Sequence, residues 1–223
     1  MAFLYFDAET TGFPPDGKVT CLVTNFRDRT TVWVTQTDDT GYTEMDEKTI
    51  GELIDYMEKN GEMGRRVVSY NGSSFDFQML SNQAVSPDLK ARIQDLAKNH
   101  IDLHLACIIA RGHRMKMDGL AKATLGTQKS GTGADAVRLW EEKKYKELFD
   151  YCRNDVEILR DLFDVALAEN GLQFESSRGN IFNVDTTGLL DRTALELSRE
   201  PPHKEPWMDE NAHLAKVLSW LPQ

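Results

Sequence analysis

Cysteine is scarce in this chain. Cys21, Cys107 and Cys152 are the only three among 223 residues, and no C-x-x-C pair occurs. An odd, scattered set excludes a disulfide-stapled scaffold and a cysteine-ligated zinc site, and it predicts reduced thiols inside a cell. Long apolar runs are missing too. No stretch approaches the roughly 18 residues of a membrane span, and the N-terminus lacks the basic flank and apolar core of a secretory leader. The expectation is an intracellular protein of the cytoplasm or nucleoid, neither secreted nor membrane-bound. Internal repeats and low-complexity tracts are absent, which excludes a solenoid. Positive charge is in deficit: 26 Lys and Arg face 36 Asp and Glu, a net charge of −10. That balance argues against polyanion binding over the whole surface, because phosphate contacts draw on Lys and Arg.

What is present is an ordinary globular composition, 40% hydrophobic and 28% charged, at a length that suits one domain with an appendage. The acidic excess is uneven. Between Arg111 and Lys144, eight basic residues, among them Arg114, Lys129 and Arg138, meet four acids. Taken alone, this stretch reads more plainly as a solvated basic face than as a binding site.

Residues 3–6 read as a central strand covered on both faces. Residues 19–25 and 31–36 read as a hairpin around "RDR". Asp46 is expected to cap a helix to about residue 60, stopped by Gly61. A strand "RRVVSY", a loop and cap "NGSS", a helix carrying residues 75–80, and a helix over 86–99 follow. "HIDLHLACIIA" reads as a short strand end running into a helix. A weak helix spans 118–125, "GTQKSGTG" is a loop, and 134–170 is helical with a break near Lys143 and a stop at Gly171. Beyond it come a second hairpin in "LQFESSRGNIFNV", a helix over 186–196 and a rigid linker "PPHKEP". Trp207 and Trp220, near the end, are expected to pack on the domain, with docking on a partner as the alternative. This order predicts a mixed α/β sheet with helices on its faces.

Three acidic motifs carry the chemistry. In "YFDAETTGF", Asp7 and Glu9 stand two apart on a strand, so they share a face about 6.6 Å apart along the axis. Their mutual repulsion calls for a shared proton or a cation. In "YNGSSFDF", Asp76 sits just inside a helix start, where the helix dipole alone would account for it. In "YCRNDVEILRDLF", Tyr151 and Asp155 are i and i+4 on a stripe that continues into Ile158 and Leu162. A carboxylate on such a buried stripe needs a paired charge or a metal. A half-exposed helix with a phenol-to-carboxylate hydrogen bond is the rival there.

In chain order these are D-x-E-T-T-G, N-x-x-x-F-D and Y-x-x-x-D. The set resembles the DEDD superfamily of 3′–5′ exonucleases, the DnaQ-like branch of the ribonuclease H-like fold. Its Y-x-x-x-D is similar to the tyrosine subgroup found in polymerase proofreading domains and ribonuclease D. The resemblance covers about residues 2–168 and implies a five-stranded mixed sheet, an antiparallel hairpin plus parallel strands, flanked by helices. Residues 1–170 would form the exonuclease domain, and 171–223 a small C-terminal extension. It further implies Asp7, Glu9, Asp76 and Asp155 as ligands of two divalent cations, Mg²⁺ or Mn²⁺. Those ions suit a hard-oxygen set without required His or Cys. By the same resemblance Asp7 bridges both ions, Glu9 and Asp155 complete one site, and Asp76 holds the second ion partly through water. Tyr151 orients the attacking water. Thr10, Thr11 and Gly12 lie near the terminal nucleotide, and Asn71 and Phe75 match cleft-lining positions, although Phe75 suits a core equally well. Asp102 in "IDLHLAC" fits a structural cap rather than a ligand.

Other motifs fail on spacing. "GTQKSGTG" lacks the Walker G-K-[ST], and His100 with His104 lacks the Glu of H-E-x-x-H. A glycosidase pair of Asp7 and Glu9 would leave the other acids and the tyrosine without a role. The expected function is a metal-dependent 3′–5′ exonuclease that releases nucleoside 5′-monophosphates from single-stranded 3′ ends, DNA favoured. Its partners would be the nucleic acid and a polymerase or repair protein acting in trans. An exoribonuclease and a nuclease-like binding subunit are the alternatives.

Overall fold

The computed structural model describes residues 1–37, 41–127, 131–204 and 217–221. Strands β1 (Ala2–Thr10), β2 (Val19–Phe26) and β3 (Arg29–Trp33) form an antiparallel meander, with Arg27 at positive φ in the turn between the last two. Two-residue strands β4 (Thr35–Gln36) and β5 (Tyr42–Thr43) pair with each other. The expected strand over 31–36 therefore breaks at Val34. Beyond the Leu22–Trp33 pair the chain turns away, and the Thr35 hydroxyl accepts the Asp46 N–H at the next helix.

Asp46 caps α1 (Glu47–Glu62), its Oδ1 accepting from Thr49 N at 2.7 Å. The helix runs through Gly61 and ends at Glu62, two residues later than expected, because Gly64 takes the left-handed conformation at φ +75°. Strand β6 (Arg65–Ser69) leads to α2 (Asp76–Gln83), whose cap position is Phe75 with no side-chain bond. The serines of "NGSS" are thus not the cap. Ser86 and Pro87 start α3 (Pro87–Asn99), followed by β7 (Ile101–Asp102) and α4 (Leu103–Arg111).

Helices α5 (Met117–Leu125), α6 (Gly133–Glu141) and α7 (Tyr145–Glu169) come next, with the expected break at Lys143, φ +57°. Asn170, not Gly171, takes the left-handed cap of α7. Strands β8 (Gly171–Glu175) and β9 (Ile181–Asp185) form the second hairpin. The expected helix over 186–196 is not there. Turns around Gly188 (φ +69°) occupy most of it, and only α8 (Ala194–Leu197) forms, behind a Thr193–Glu196 capping box. Residues 201–204 have no regular structure; the rest of the linker and Trp207 lie outside the described residues.

The main sheet has five strands in the order β3-β2-β1-β6-β7, with β1, β6 and β7 parallel and β2 and β3 antiparallel. Strand alternation splits β1 between two apolar layers. Leu4, Phe6 and Ala8 face the layer of α1, α2 and α3, while Tyr5 faces α4, α5 and α7. Asp7 and Glu9 continue the Tyr5 side, and so point toward α7. Leu172, Val184, Leu190, Ala194 and Leu197 join the α7-side cluster, so β8, β9 and α8 share that core. No helix among the described residues is long and apolar enough to cross a membrane.

Candidate active site

Pairing of β1 with β6 stops at Tyr5–Val68, whereas pairing with β2 continues to Thr10. The two parallel strands separate there, and the free end of β1 forms the floor of the site. Asp76 enters from α2 and accepts the Ala8 N–H at 3.1 Å, occupying the side that β6 has left. It is 3% exposed, Asp155 2% and Glu9 7%, while Asp7 is half-buried. Helix α7 crosses the opposite side and delivers Tyr151 and Asp155 from one face.

Tyr151 reports the closeness of these groups. Burial, then the charges of Asp155, Glu9 and Asp7, push its phenol far above the ordinary range, and it hydrogen-bonds the Asp155 carboxylate. The hydroxyl therefore stays protonated at neutral pH and donates. Donor atoms of Asp7, Glu9 and Cys152 lie within 4.8 Å of one another. The Cys152 thiol donates to the Asp7 carbonyl at 3.4 Å, and burial together with a contact to Cys21 and the acids holds its pKa well above normal. A protonated thiol is a poor partner for a hard cation. The neighbouring oxygen donors of Asp7 and Glu9 fit a hard divalent cation, which would offset their repulsion.

Above this floor opens a cleft of about 650 Å³, lined by Glu9, Thr10, Gly12, Phe13, Asn71, Phe75 and the start of α6. Four of the five expected substrate residues line it: Thr10, Gly12, Asn71 and Phe75. Thr11 does not; its hydroxyl accepts the Lys18 N–H and closes the following loop. Phe75 meets the largely exposed Phe13 edge-on at 6.0 Å. Asn71, at φ +72°, turns its Oδ1 toward His104 Nδ1 (3.0 Å) and Arg114 (3.3 Å).

Asp102 supports this wall. Its carboxylate caps α4 through His104 N and Leu105 N and also accepts from Asn71 N, Ser73 N and Ser73 Oγ. That is the structural role expected of it. Gly72 is needed beside it, since a Cβ there would lie 2.4 Å from Ser69 Oγ. Of the basic stretch, Lys129 lies outside the described residues. Lys122 pairs with Glu175, and Arg138 and Lys144 share Glu142. Arg114 reaches the cleft edge.

A profile of the RNase_H superfamily matches residues 4–167. The chain belongs to the RNase_H superfamily. Its mixed sheet flanked by helices is the RNase H-like fold, and with that membership goes nuclease chemistry on nucleic acid supported by divalent metals. No curated protein matches the chain. Within the RNase_H domain, sequence reasoning missed Phe13, Cys152 and the α6 wall of Gly133, Ala134 and Val137. Phe13 had a signal, an aromatic residue directly after T-T-G. The other four had none, since only the packing of α6 and α7 on β1 brings them there.

Proposed function

We propose that this RNase_H-superfamily domain is a 3′–5′ exonuclease acting on single-stranded 3′ ends, with DNA favoured over RNA. The observation that carries the reading is Tyr151, a phenol hydrogen-bonded to Asp155 within the field of Glu9 and Asp7, with Glu9 itself lining a cleft of nucleotide size. Asp7, Glu9, Asp76 and Asp155 would hold the two cations. Bound there, divalent ions supply Lewis-acid stabilisation of the charge that builds on the phosphodiester oxygens. With its O–H given to Asp155, the Tyr151 oxygen would accept from the attacking water and orient it for in-line attack. Phe13 and Phe75 offer aromatic surface to the terminal base, Thr10 and Gly12 backbone and hydroxyl groups to its sugar, and Arg114 a guanidinium to a phosphate. Residues 1–170 form the catalytic unit in this reading, with 171–223 as its extension and a polymerase or repair protein as a partner in trans.

Matched 3′-labelled and 5′-labelled DNA and RNA strands with Mg²⁺, Mn²⁺ or EDTA test it. A 5′-labelled strand shortening one residue at a time, with DNA faster than RNA, is the expected result. Internal cuts or faster RNA degradation would overturn the direction or the sugar preference.

A further inference from the structure

Residues 217–221 lie beyond the part of the chain that the superfamily profile covers, yet they touch the loop that carries part of the candidate site. Trp220 donates its indole Nε1–H to the Ser73 carbonyl at 2.8 Å. Around it, Val217, Leu218 and Leu221 pack on the apolar layer of α1, α2 and α3. Ser73 stands between Asn71 and Phe75, which line the cleft, and three residues before Asp76. Asp102 holds the same serine through its N–H and its hydroxyl. Ser73 is thus held at three polar atoms by residues remote in sequence.

The 70–76 loop needs such anchors. Asn71 adopts a positive φ, a conformation that a non-glycine residue keeps only when its surroundings hold it. The first turn of α2 has no side-chain cap of its own. Displacing this loop would move Asn71, Phe75 and Asp76 together, and catalytic geometry tolerates little: a shift of about 1 Å costs about a hundredfold.

We propose that Trp220 is a positioning residue for the candidate active site, holding the 70–76 loop in place through the Ser73 carbonyl. The identity of what the loop binds rests on the nuclease reading; the mechanical link does not. Coupling is reciprocal, so whatever steadies Asn71, Phe75 and Asp76 from the cleft must also steady residues 217–221.

Two full-length variants separate anchoring from packing. Trp220→Phe keeps a ring and removes the N–H, and Trp220→Ala removes both. Amide hydrogen exchange over 70–76 and 217–221 is read with and without Mn²⁺ plus thymidine 5′-monophosphate, beside KM and kcat on a single strand. In Trp220→Phe, exchange over 70–76 should quicken about fivefold, the worth of one hydrogen bond, with the sheet unchanged. KM should rise several-fold, more than kcat falls. Wild-type exchange and KM in Trp220→Phe, with defects only in Trp220→Ala, would reduce Trp220 to packing and overturn the proposal. If Trp220→Phe does not fold, the wild-type protein still decides: nucleotide that protects 70–76 and leaves 217–221 unprotected overturns it. A wild-type protein inactive on every strand removes the nuclease reading, while the ligand-free exchange comparison still tests the link.

Discussion

Tyr151 lies within the field of Asp7, and the two should respond differently to substitution. Asp7 is half-buried within a set of acids that includes the nearly enclosed Glu9, Asp76 and Asp155. In the proposed metal set, Asp7→Ala would remove an oxygen donor and one of the four negative charges. Nuclease activity should fall by about three orders of magnitude or more, comparable to losing a dominant electrostatic contribution. The metal-free protein should melt no lower than wild type. A lower melting temperature with high residual specific activity would make Asp7 structural. Tyr151→Phe removes only a hydroxyl. Were Tyr151 simply packing α7, the change would cost about 1 kcal/mol and leave cleavage alone. An O–H that orients water predicts a roughly ten- to thousandfold slower single-turnover rate with 3′-end affinity nearly unchanged.

One element-scale network lies under the cleft wall. His100 at the end of α3 is fully enclosed, with Nδ1 facing the Ala97 carbonyl (2.9 Å) and Nε2 facing Ser69 Oγ (3.0 Å). Ser69 Oγ also accepts the Gly72 N–H, so the imidazole at the end of α3 braces the turn between β6 and α2. Burial lowers the His100 pKa below its ordinary 6.5, aided by Arg66 and opposed by Asp102. Above pH 6.5 the ring is neutral folded or unfolded, and stability is full. Below it the unfolded chain takes up a proton that the fold resists, so stability falls with pH at up to about 1.4 kcal/mol per unit. Melting temperature should therefore decline as pH drops from about 6.5 toward 5, and His100→Asn should flatten that decline. An identical decline in both proteins would assign it to other groups. Asp102 is the other brace. Asp102→Ala leaves the enclosed Ser73 N–H without its acceptor and uncaps α4, and a loss of about 3 kcal/mol or more by denaturant unfolding is expected.

Charge and metal act on the whole molecule. A chain of net charge −10 repels a nucleic acid strand at long range, so local cations must carry the attraction. Two divalent ions change the formal total to −10 + 4 = −6. Chelation should abolish activity, Mn²⁺ or Mg²⁺ should restore it, and the ions should raise the melting temperature. Full activity after exhaustive chelation would remove the metal-dependent reading. Arg114 makes no ion pair among the described residues and sits at the cleft edge. If it meets a phosphate, Arg114→Ala should weaken strand binding and make the slope of log K against log salt shallower by about 0.7. An unchanged slope would place Arg114 outside the interface.

Local physics made much of this protein legible from its residues. A period of two put Asp7 and Glu9 on one face, a period near four joined Tyr151 to Asp155, and the cap chemistry of Asp46 and Asp102 started two helices where expected. The order of hairpin, parallel strands and covering helices follows from the same patterns. Other features depended on packing. Gly64 rather than Gly61 ends α1, and turns replace a helix over 186–192, because competing breakers are resolved by which backbone the surroundings favour. Cys152 beside the acids and the wall of α6 opposite Phe75 arise where segments far apart in the chain meet. Trp220 reaches Ser73 across 147 residues. No periodicity encodes such a contact. Sequence determined which side chains share a face of one element; the tertiary structure decided which faces meet, because that choice is made by burying both apolar layers of one sheet at once.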